Sequence, residues 1–429
     1  MYLSGSKWNT RKRRRRSNPW RALGLLLLIG ALLYLNSFIV PETPPFFVAT
    51  LVPTRSPASL VLEGESLFQA GKLAQAKLSY LKAIAVDPQN PEYYIELARI
   101  QVFTGEYAEA VSNASNAVLL DENSALAYGV LGWALDFQAF ANPEAASTLD
   151  ALARVEKAVE LDPNSALVRA YYAEVIIDDD LEAYDRAREQ AEQAVRLDPN
   201  LLEAQRALGY VWERTGNYAL AFEAYQNALR ISPNLAVLHV AVGDMHFNIG
   251  LTDLLEGRFD SGQQHVDEAI RSYTTATTLA PEDVEPFRRI ARAYAQIGEF
   301  GKASQFAQTA VDLQPTNPRL HGDLGRMYYK NGEYEAAIAS LALAILGSSD
   351  PEGPQVSGLP LDPGDPIVVE FYYMYGLALA KTQQCGLGTE IARALLTGVP
   401  GDDVVVFNAE EILILCGELP PRPTETPEG

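Results

Sequence analysis

One spacing recurs along most of this chain and restricts its fold more than any other feature. A small residue is followed by alanine 12 positions later and by a second alanine 7 positions after that. In several copies proline comes 5 positions further on, and in four copies a Gly-x-Tyr or Gly-x-Phe step precedes the first alanine. The clearest copies start at Gly64, Ala98, Gly209, Ala291 and Gly325.

Each copy predicts a pair of antiparallel helices. Small residues let two helices cross closely, glycine adopts the left-handed conformation of a tight turn, and a following Asp-Pro-Asn stops the second helix. The pattern resembles the tetratricopeptide repeat (TPR) family, whose unit is a helical hairpin of about 34 residues. The resemblance covers residues 57–346 as eight repeats. It implies an all-α fold, a right-handed α-α superhelix (TPR solenoid).

Three of the repeats are longer than the pattern requires. The third has seven extra residues near 140–150, the fourth has two near 178–182, and the sixth has fourteen at 251–264. Because seven residues make about two helical turns, the fourteen would extend both helices of the sixth hairpin into a protruding spur. A plain loop is the alternative.

The end of the chain departs from the repeat pattern. Residues 347–366 contain five prolines and predict a long loop. Residues 367–419 predict a degenerate ninth repeat and a capping helix, since the end of a solenoid must cover its last apolar face. The Pro- and Thr-rich residues 420–429 predict a disordered tail.

The start of the chain predicts a membrane anchor. Residues 22–40 carry no charge, and as a helix they would span about 28 Å, close to the ~30 Å hydrocarbon core. Residues 1–21 hold eight Lys and Arg and no acid, whereas the remaining residues sum to −29 within an overall charge of −21. By the positive-inside rule, we predict a single-pass cell-membrane protein with a basic cytoplasmic tail (1–21), a transmembrane helix (22–40), a Pro/Thr-rich linker (41–56) and the array outside the cytoplasm.

Two other interpretations of this start are weaker. A cleaved signal peptide needs small residues at an A-x-A-like cleavage site, and the exit from Asn36 to Pro41 contains no good site of that kind. The run from Arg11 to Arg16 could contact nucleic acid. Beside a predicted span, however, it is better explained as a topology signal that contacts anionic lipid head groups. No nucleic-acid partner is therefore expected.

Little in the sequence suggests catalysis, and we expect neither an enzyme nor a cofactor. His239 and His246 share one helix face without a third metal ligand, and His265 and His321 are isolated, so structural histidines are expected. The run Asp178-Asp179-Asp180 lacks the spacing of a dedicated Ca²⁺ loop. We expect it to be a solvated acidic turn.

Cys385 and Cys416 are the two cysteines, and both lie in the final segment. Outside the cytoplasm they could form a disulfide. Closing a loop of this length would stabilise the end of the array by roughly 3–4 kcal/mol in the chain-entropy model. Two buried free thiols are the alternative.

The resemblance also implies a binding surface, because in TPR arrays the first helix of each hairpin lines a concave groove. Projected onto that pattern, the candidate partner-binding residues are Trp133, Arg206, Tyr210, Phe247, Arg288, Arg292, Arg326 and Tyr329. The arginines would clamp an acidic peptide or a C-terminal carboxylate. Alternatively they pair with neighbouring acids such as Glu285, Asp323 and Glu333.

These observations predict a membrane-anchored scaffold that mediates protein–protein interactions outside the cytoplasm, with an unidentified protein or peptide partner. Envelope or secretion-complex assembly is the context that this topology suggests. The alternative is an accessory subunit that binds a peptide or glycan for a separate membrane enzyme. In that case the rings of Trp133, Tyr210 and Tyr329 would stack on sugars.

Overall fold

The computed structural model describes residues 18–34, 55–142, 145–348 and 353–422, and within them it contains helices and no strand. The chain divides into two units, residues 1–55 and 56–429. The first unit has one described helix, α1 (Pro19–Tyr34), of 16 residues. No helix in the described ranges is both long and apolar enough to cross a membrane. Residues 35–40 of the predicted span, most of the predicted basic tail and nearly all of the predicted linker lie outside the described residues.

The second unit is a row of helical hairpins. Each hairpin packs on the next, so the array has one continuous core divided into local clusters. The helices are α2 (Pro57–Gln69), α3 (Leu73–Val86), α4 (Pro91–Phe103), α5 (Tyr107–Leu120), α6 (Ala125–Ala141), α7 (Thr148–Leu161), α8 (Ala166–Asp179), α9 (Tyr184–Leu197), α10 (Leu202–Arg214), α11 (Tyr218–Ile231), α12 (Ala236–Leu255), α13 (Phe259–Leu279), α14 (Val284–Gln296), α15 (Phe300–Leu313), α16 (Pro318–Asn331), α17 (Tyr334–Leu346), α18 (Pro366–Lys381), α19 (Cys385–Gly398) and α20 (Asp403–Leu415).

The eighth hairpin shows why the repeated residues form this unit. The Asn317 side chain accepts a hydrogen bond from the Arg319 backbone N–H and caps the start of α16. Gly332 ends that helix at φ 82°, in the left-handed region where a side chain is disfavoured. A Cβ atom on Gly325 would lie 2.5 Å from Leu341 Cγ of α17. The small residue of the repeat is therefore needed for the close crossing of the two helices.

The insertion in the sixth repeat lies in its helices. α12 has 20 residues and α13 has 21, whereas the helices of the seventh hairpin have 13 and 14. Each helix of the sixth hairpin is thus about two turns longer than its counterpart. These two extended helices form a spur that ends at the turn Glu256–Arg258.

The other two insertions are smaller. In the third repeat, α6 is lengthened to 17 residues and a connection follows it, of which residues 143–144 lie outside the described part. In the fourth repeat, the extra residues form a single 3₁₀ turn, Leu181–Ala183, in which the Glu182 backbone N–H donates to Asp180 Oδ1. Neither insertion interrupts the order of the hairpins.

The last hairpin and its cap are joined covalently. Cys385 at the start of α19 and Cys416 just after α20 form a disulfide, with Cα atoms 5.4 Å apart. Of the predicted tail, residues 420–422 are described, and the Arg422 guanidinium lies 3.7 Å from the centre of the Phe407 ring. Residues 349–352 of the predicted loop and 423–429 of the tail lie outside the described part.

The first hairpin also contacts the sixth, so the array closes on itself after five repeats. The Asn234 side chain, just before α12, donates a hydrogen bond of 3.3 Å to the Gln69 carbonyl at the end of α2. A Cβ atom on Gly71 would lie 2.0 Å from the Asn234 carbonyl oxygen. Phe68 and Leu73 of the first hairpin pack against buried leucines around the start of α12. This contact encloses the concave side of the first five repeats.

Candidate functional site

The enclosed side of the first five repeats is filled by stacked rings and a buried ion pair. The Trp133 ring stacks on Tyr171 at 4.6 Å and meets the Phe103 ring edge-on at 5.4 Å. The indole N–H donates to Glu174 Oε2 at 2.8 Å, and the Arg206 guanidinium pairs with the same carboxylate. That guanidinium also lies 4.9 Å from the Trp133 ring centre, as a cation–π contact requires. These buried groups form the polar centre of the first five repeats, the part of the array that we call the enclosed turn.

A second buried group lies next to this centre and contains two carboxyl groups. Asp136 and Asp178 hydrogen-bond to each other, and the Tyr210 hydroxyl donates to Asp178 Oδ2 at 2.7 Å. Arg214 Nε is 3.0 Å from Asp178 Oδ1. Burial, reinforced by the charge of Asp178, raises the pKa of Asp136 to about 9. Asp136 is therefore protonated at neutral pH and can donate a hydrogen bond to Asp178.

Beyond this enclosed turn, the concave side opens into a basic cavity of about 540 Å³ between α14, α16 and the start of α18. We call it the basic pocket. Its floor is apolar, with alanines, Leu320 and Met327, and Ile367 lies at its edge. Its charged lining consists of Arg288, Arg289, Arg292, Arg326, Lys330, Glu285 and Asp323. Five cations against two acids leave a local excess of +3.

Three of the five cations are held by acids. Arg288 Nη1 lies 2.9 Å from Glu285 Oε2, and Arg326 contacts Asp323 at 2.9 Å and Glu370 at 3.1 Å. Arg289 pairs with Glu285 at 2.8 Å and with Asp244 at 3.4 Å. These pairs restrict the guanidinium groups. Asp244 and Glu370 lie outside the lining, and when they are counted five cations face four acids, so the pocket keeps a net charge of +1.

Arg292 and Lys330 differ from the other three cations. In the described part of the chain neither of them lies within ion-pair distance of a carboxylate. The Arg292 guanidinium rests 4.9 Å from the centre of the buried Phe247 ring, and both cations are exposed to solvent. Two solvent-facing cations above an apolar floor can bind an anionic group that reaches into the pocket.

Comparison with known proteins identifies the repeats. Tetratricopeptide repeat families match residues 64–102, 172–236, 254–318 and 288–354. The hairpins within these ranges are tetratricopeptide repeats. The matches begin in the first TPR and reach the loop after the eighth. The predicted family and the all-α solenoid are confirmed, and this fold is typical of non-catalytic scaffolds.

Two other proteins are similar in sequence to parts of the TPR array. Superkiller protein 3 of Schizosaccharomyces pombe is 21% identical over 309 residues, which are 63% of this chain and 21% of that protein. Small glutamine-rich tetratricopeptide repeat-containing protein 2 of Mycosarcoma maydis is 34% identical over 82 residues, 19% of this chain and 23% of that protein. The chain thus spans about a fifth of the length of these relatives.

Solved structures share the fold at low sequence identity. A monomeric mutant of IFIT1 with m7Gppp-AAAA superposes with a TM-score of 0.58 and 16% identity, covering 93% of this chain and 86% of that chain. The APC/C hetero-tetramer Cut9-Hcn1 gives a TM-score of 0.50 and 15% identity, with 91% and 82% covered. At such low identities the similarity shows only a shared fold.

The structure divides the predicted groove residues into two groups. Trp133, Arg206 and Phe247 are buried, at 0, 8 and 3% exposure, so the prediction that they form an open groove is wrong. Tyr210 is half-buried, and its hydroxyl already bonds Asp178. Trp133 and Arg206 are enclosed where the first five repeats close on themselves, whereas Phe247 is buried among α12, α13 and α14. A glycan cannot stack on Trp133, which has no exposed surface.

The remaining predicted residues lie at or near the basic pocket. Arg288, Arg292 and Arg326 line it, whereas the half-buried Tyr329 packs 5.6 Å from the Tyr334 ring and is not part of the lining. The alternative of structural pairing describes Arg288 and Arg326, which contact Glu285 and Asp323. It does not describe Arg292.

Two cations of the pocket were not among the predicted residues. Arg289 follows Arg288 directly, and Lys330 lies four residues after Arg326, one helical turn away on the same face. The spacing of Lys330 was a usable signal. No spacing indicated Arg289, because adjacent helical residues point in different directions. Only the packing of α12 against α14 shows that Arg289 reaches Asp244.

The predicted acidic turn is also corrected. The Asp178 side chain is 3% exposed and accepts bonds from Tyr210 and Arg214, so it is not solvated. It lies near the end of α8 on the face that turns toward the enclosed interior. Asp180, two residues later, is exposed and caps the 3₁₀ turn.

Proposed function

We propose that this TPR array is a binding scaffold that captures a protein partner through an acidic segment seated in the basic pocket. The observation that carries the proposal is the pair of solvent-facing cations, Arg292 and Lys330, which are not paired with acids in the described chain. They lie in a region whose sum of charges is −29. Such a local reversal of sign favours an anionic partner and speeds its approach.

The shape of the pocket supports a peptide segment rather than a flat surface. A cavity of about 540 Å³ with an apolar floor accommodates a few side chains. The partly paired Arg288 and Arg326 would bind carboxylates through two parallel N–H bonds once a partner competes with Asp323. The apolar floor around Leu320 and Met327 would take a hydrophobic side chain between the acidic ones.

Charge reversal tests this proposal. The double substitution Arg292→Glu with Lys330→Glu changes the local excess from +3 to −1 and is expected to reduce partner capture at least about tenfold, because each reversal turns an attraction into a repulsion. Capture is measured by cross-linking the full chain in native membranes and quantifying the captured proteins by mass spectrometry.

The matched control places the same change on the outer helices. Lys157→Glu with Arg188→Glu reverses two cations whose side chains are 48 and 40% exposed, far from the pocket in sequence. Capture should stay at the wild-type level in this control. An unchanged set of captured proteins in the pocket variant would contradict the proposal.

We further propose that the array is anchored in the cell membrane and faces the side opposite the cytoplasm. Three features support this: the uncharged residues 22–40, the eight cations within residues 1–21, and the disulfide, a bond typical of oxidising compartments. The helix α1 contains the apolar run Leu25–Ile29, and all its described side chains are exposed. A role in envelope or secretion-complex assembly would follow from this location.

Protease accessibility tests the orientation. Protease added to intact cells is expected to degrade the array and to spare the basic N-terminal segment, because the bilayer shields only the cytoplasmic side. Antibodies against each end report which fragment survives. If the array is protected until the cells are lysed, the proposed orientation is wrong.

A further inference from the structure

The spur of the sixth repeat brings together two histidines that are separate in the sequence. His246 lies on α12 and His265 on α13, and their Nδ1 atoms are 3.2 Å apart. The other two histidines have a different role, because His239 and His321 each place Nε2 at 2.9 Å from a proline carbonyl in the preceding turn, that of Pro233 and that of Pro315. The pair in the spur belongs to no repeated contact of the array.

The geometry of this pair suits a shared ion as well as a shared proton. In a neutral pair, one Nδ1–H donates to the lone pair of the other Nδ1. Two imidazole nitrogens bound to one tetrahedral zinc ion lie about 3.3 Å apart, given Zn–N bonds of 2.0–2.1 Å. The observed separation therefore allows a divalent ion to replace the proton after a rotation of the rings. The His265 side chain is 32% exposed, so an ion can reach it from solvent.

The surroundings of the pair favour a cation. Glu268, one turn after His265 on α13, acts electrostatically on both rings, and its partner Arg271 is 62% exposed. Asp253 Oδ2 lies 4.0 Å from His265 Nε2, on the side away from His246. A carboxylate behind a ligating histidine orients the ring and raises its basicity.

We propose that His246 and His265 form a two-histidine site for a borderline divalent cation such as Zn²⁺, completed by water and located across the two helices of the spur. Nitrogen ligands select Zn²⁺, Ni²⁺ or Cu²⁺ over Mg²⁺ and Ca²⁺, which prefer oxygen. In the described part of the chain no three side chains of metal-binding type converge, so the protein supplies two ligands. The bound ion would join α12 to α13 at the base of their extended parts and stiffen the spur.

Zinc titration of the full chain, purified without a polyhistidine tag, tests this site. Calorimetry is expected to show one Zn²⁺ per chain, together with a rise in melting temperature that Mg²⁺ does not produce. His265→Gln removes one ligand from a partly exposed position. It should weaken Zn²⁺ binding by about tenfold or more, since losing even a supporting partner of a metal ligand costs 10–100-fold.

The chain offers a matched control for the loss of a histidine. At the same hairpin position as His239, the fifth repeat has Gln205, whose side-chain amide donates to the Pro199 carbonyl at 2.9 Å. His239→Gln therefore preserves the structural bond and should leave Zn²⁺ binding unchanged. The proposal is overturned if the wild-type chain shows no Zn²⁺ binding, if His265→Gln binds as tightly as wild type, or if Mg²⁺ gives the same thermal shift.

Discussion

Arg206→Met is expected to lower the free energy of unfolding by about 3–5 kcal/mol, because it leaves a buried carboxylate without its cation. The Glu174 side chain is 1% exposed and the Arg206 side chain 10%. Methionine fills most of the arginine volume, so the loss arises mainly from the charge and from the cation–π contact with Trp133. Urea unfolding followed by far-UV circular dichroism measures the effect.

Two further variants separate the orphaned charge from lost packing. Adding Glu174→Gln to Arg206→Met replaces the carboxylate with a neutral amide that still accepts the Trp133 indole N–H, and it should recover part of the stability. Arg188→Met breaks an exposed pair with Asp185, whose side chain is 86% exposed, and should cost less than about 0.5 kcal/mol. Equal effects of Arg206→Met and Arg188→Met would show that the enclosed ion pair does not stabilise the array.

The hairpins could be predicted from the sequence because their determinants are local. The sequence separation of Gly325 and Leu341 spans one crossing of two neighbouring helices, and the glycines at the same position in other copies, Gly64, Gly132, Gly209 and Gly243, make an equally close approach. The length of the spur was predictable for the same reason, since fourteen residues divide evenly over two helices. Local spacing, propensity and turn residues all agreed at these positions.

The closure of the first five repeats could not be predicted in this way. Its contacts join residues more than a hundred positions apart, as in the Arg99–Glu203 ion pair. Gly71, at φ 73°, occupies a turn position where the repeat already expects glycine, like Gly105 and Gly216. Nothing in the sequence distinguished its second role, the close approach of the Asn234 carbonyl. The predicted groove therefore included Trp133 and Arg206, which this closure buries.

The basic pocket was predicted in part because its residues follow helical spacing. Arg288 and Arg292 are four residues apart on α14, and so are Arg326 and Lys330 on α16. Which of these cations is paired depends on acids from neighbouring helices, such as Glu370 of α18. This pairing of cations with acids depends on the packing of three hairpins, so it cannot be predicted from the spacing within one helix.

Asp136→Asn is expected to make the chain more stable than wild type at alkaline pH. The pKa of Asp136 is raised to about 9 in the folded chain, whereas an unfolded aspartate has a pKa of about 4. Between these values the folded state binds more protons than the unfolded state, so wild-type stability falls as pH rises. The slope is up to about 1.4 kcal/mol per pH unit, or up to about 4 kcal/mol between pH 5 and pH 8.

Asparagine removes this dependence because it mimics the protonated acid. Its amide N–H can donate to Asp178 as the Asp136 carboxyl does, and it cannot ionise. The free energy of unfolding in urea is measured for wild type and Asp136→Asn at a series of pH values, and the difference between the two proteins is plotted against pH. Glu213, whose pKa burial raises to about 7, is present in both proteins, so its contribution cancels in that difference.

An exposed substitution of the same chemistry serves as the control. Asp162→Asn lies at the end of α7 on the surface and keeps an oxygen that can accept the Asn164 backbone N–H. Its stability relative to wild type should not vary with pH by more than a few tenths of a kcal/mol. If the difference between Asp136→Asn and wild type is equally flat, Asp136 is ionised in the folded chain. The enclosed turn would then hold two charged carboxylates against Arg214, and the shared proton between Asp136 and Asp178 would be excluded.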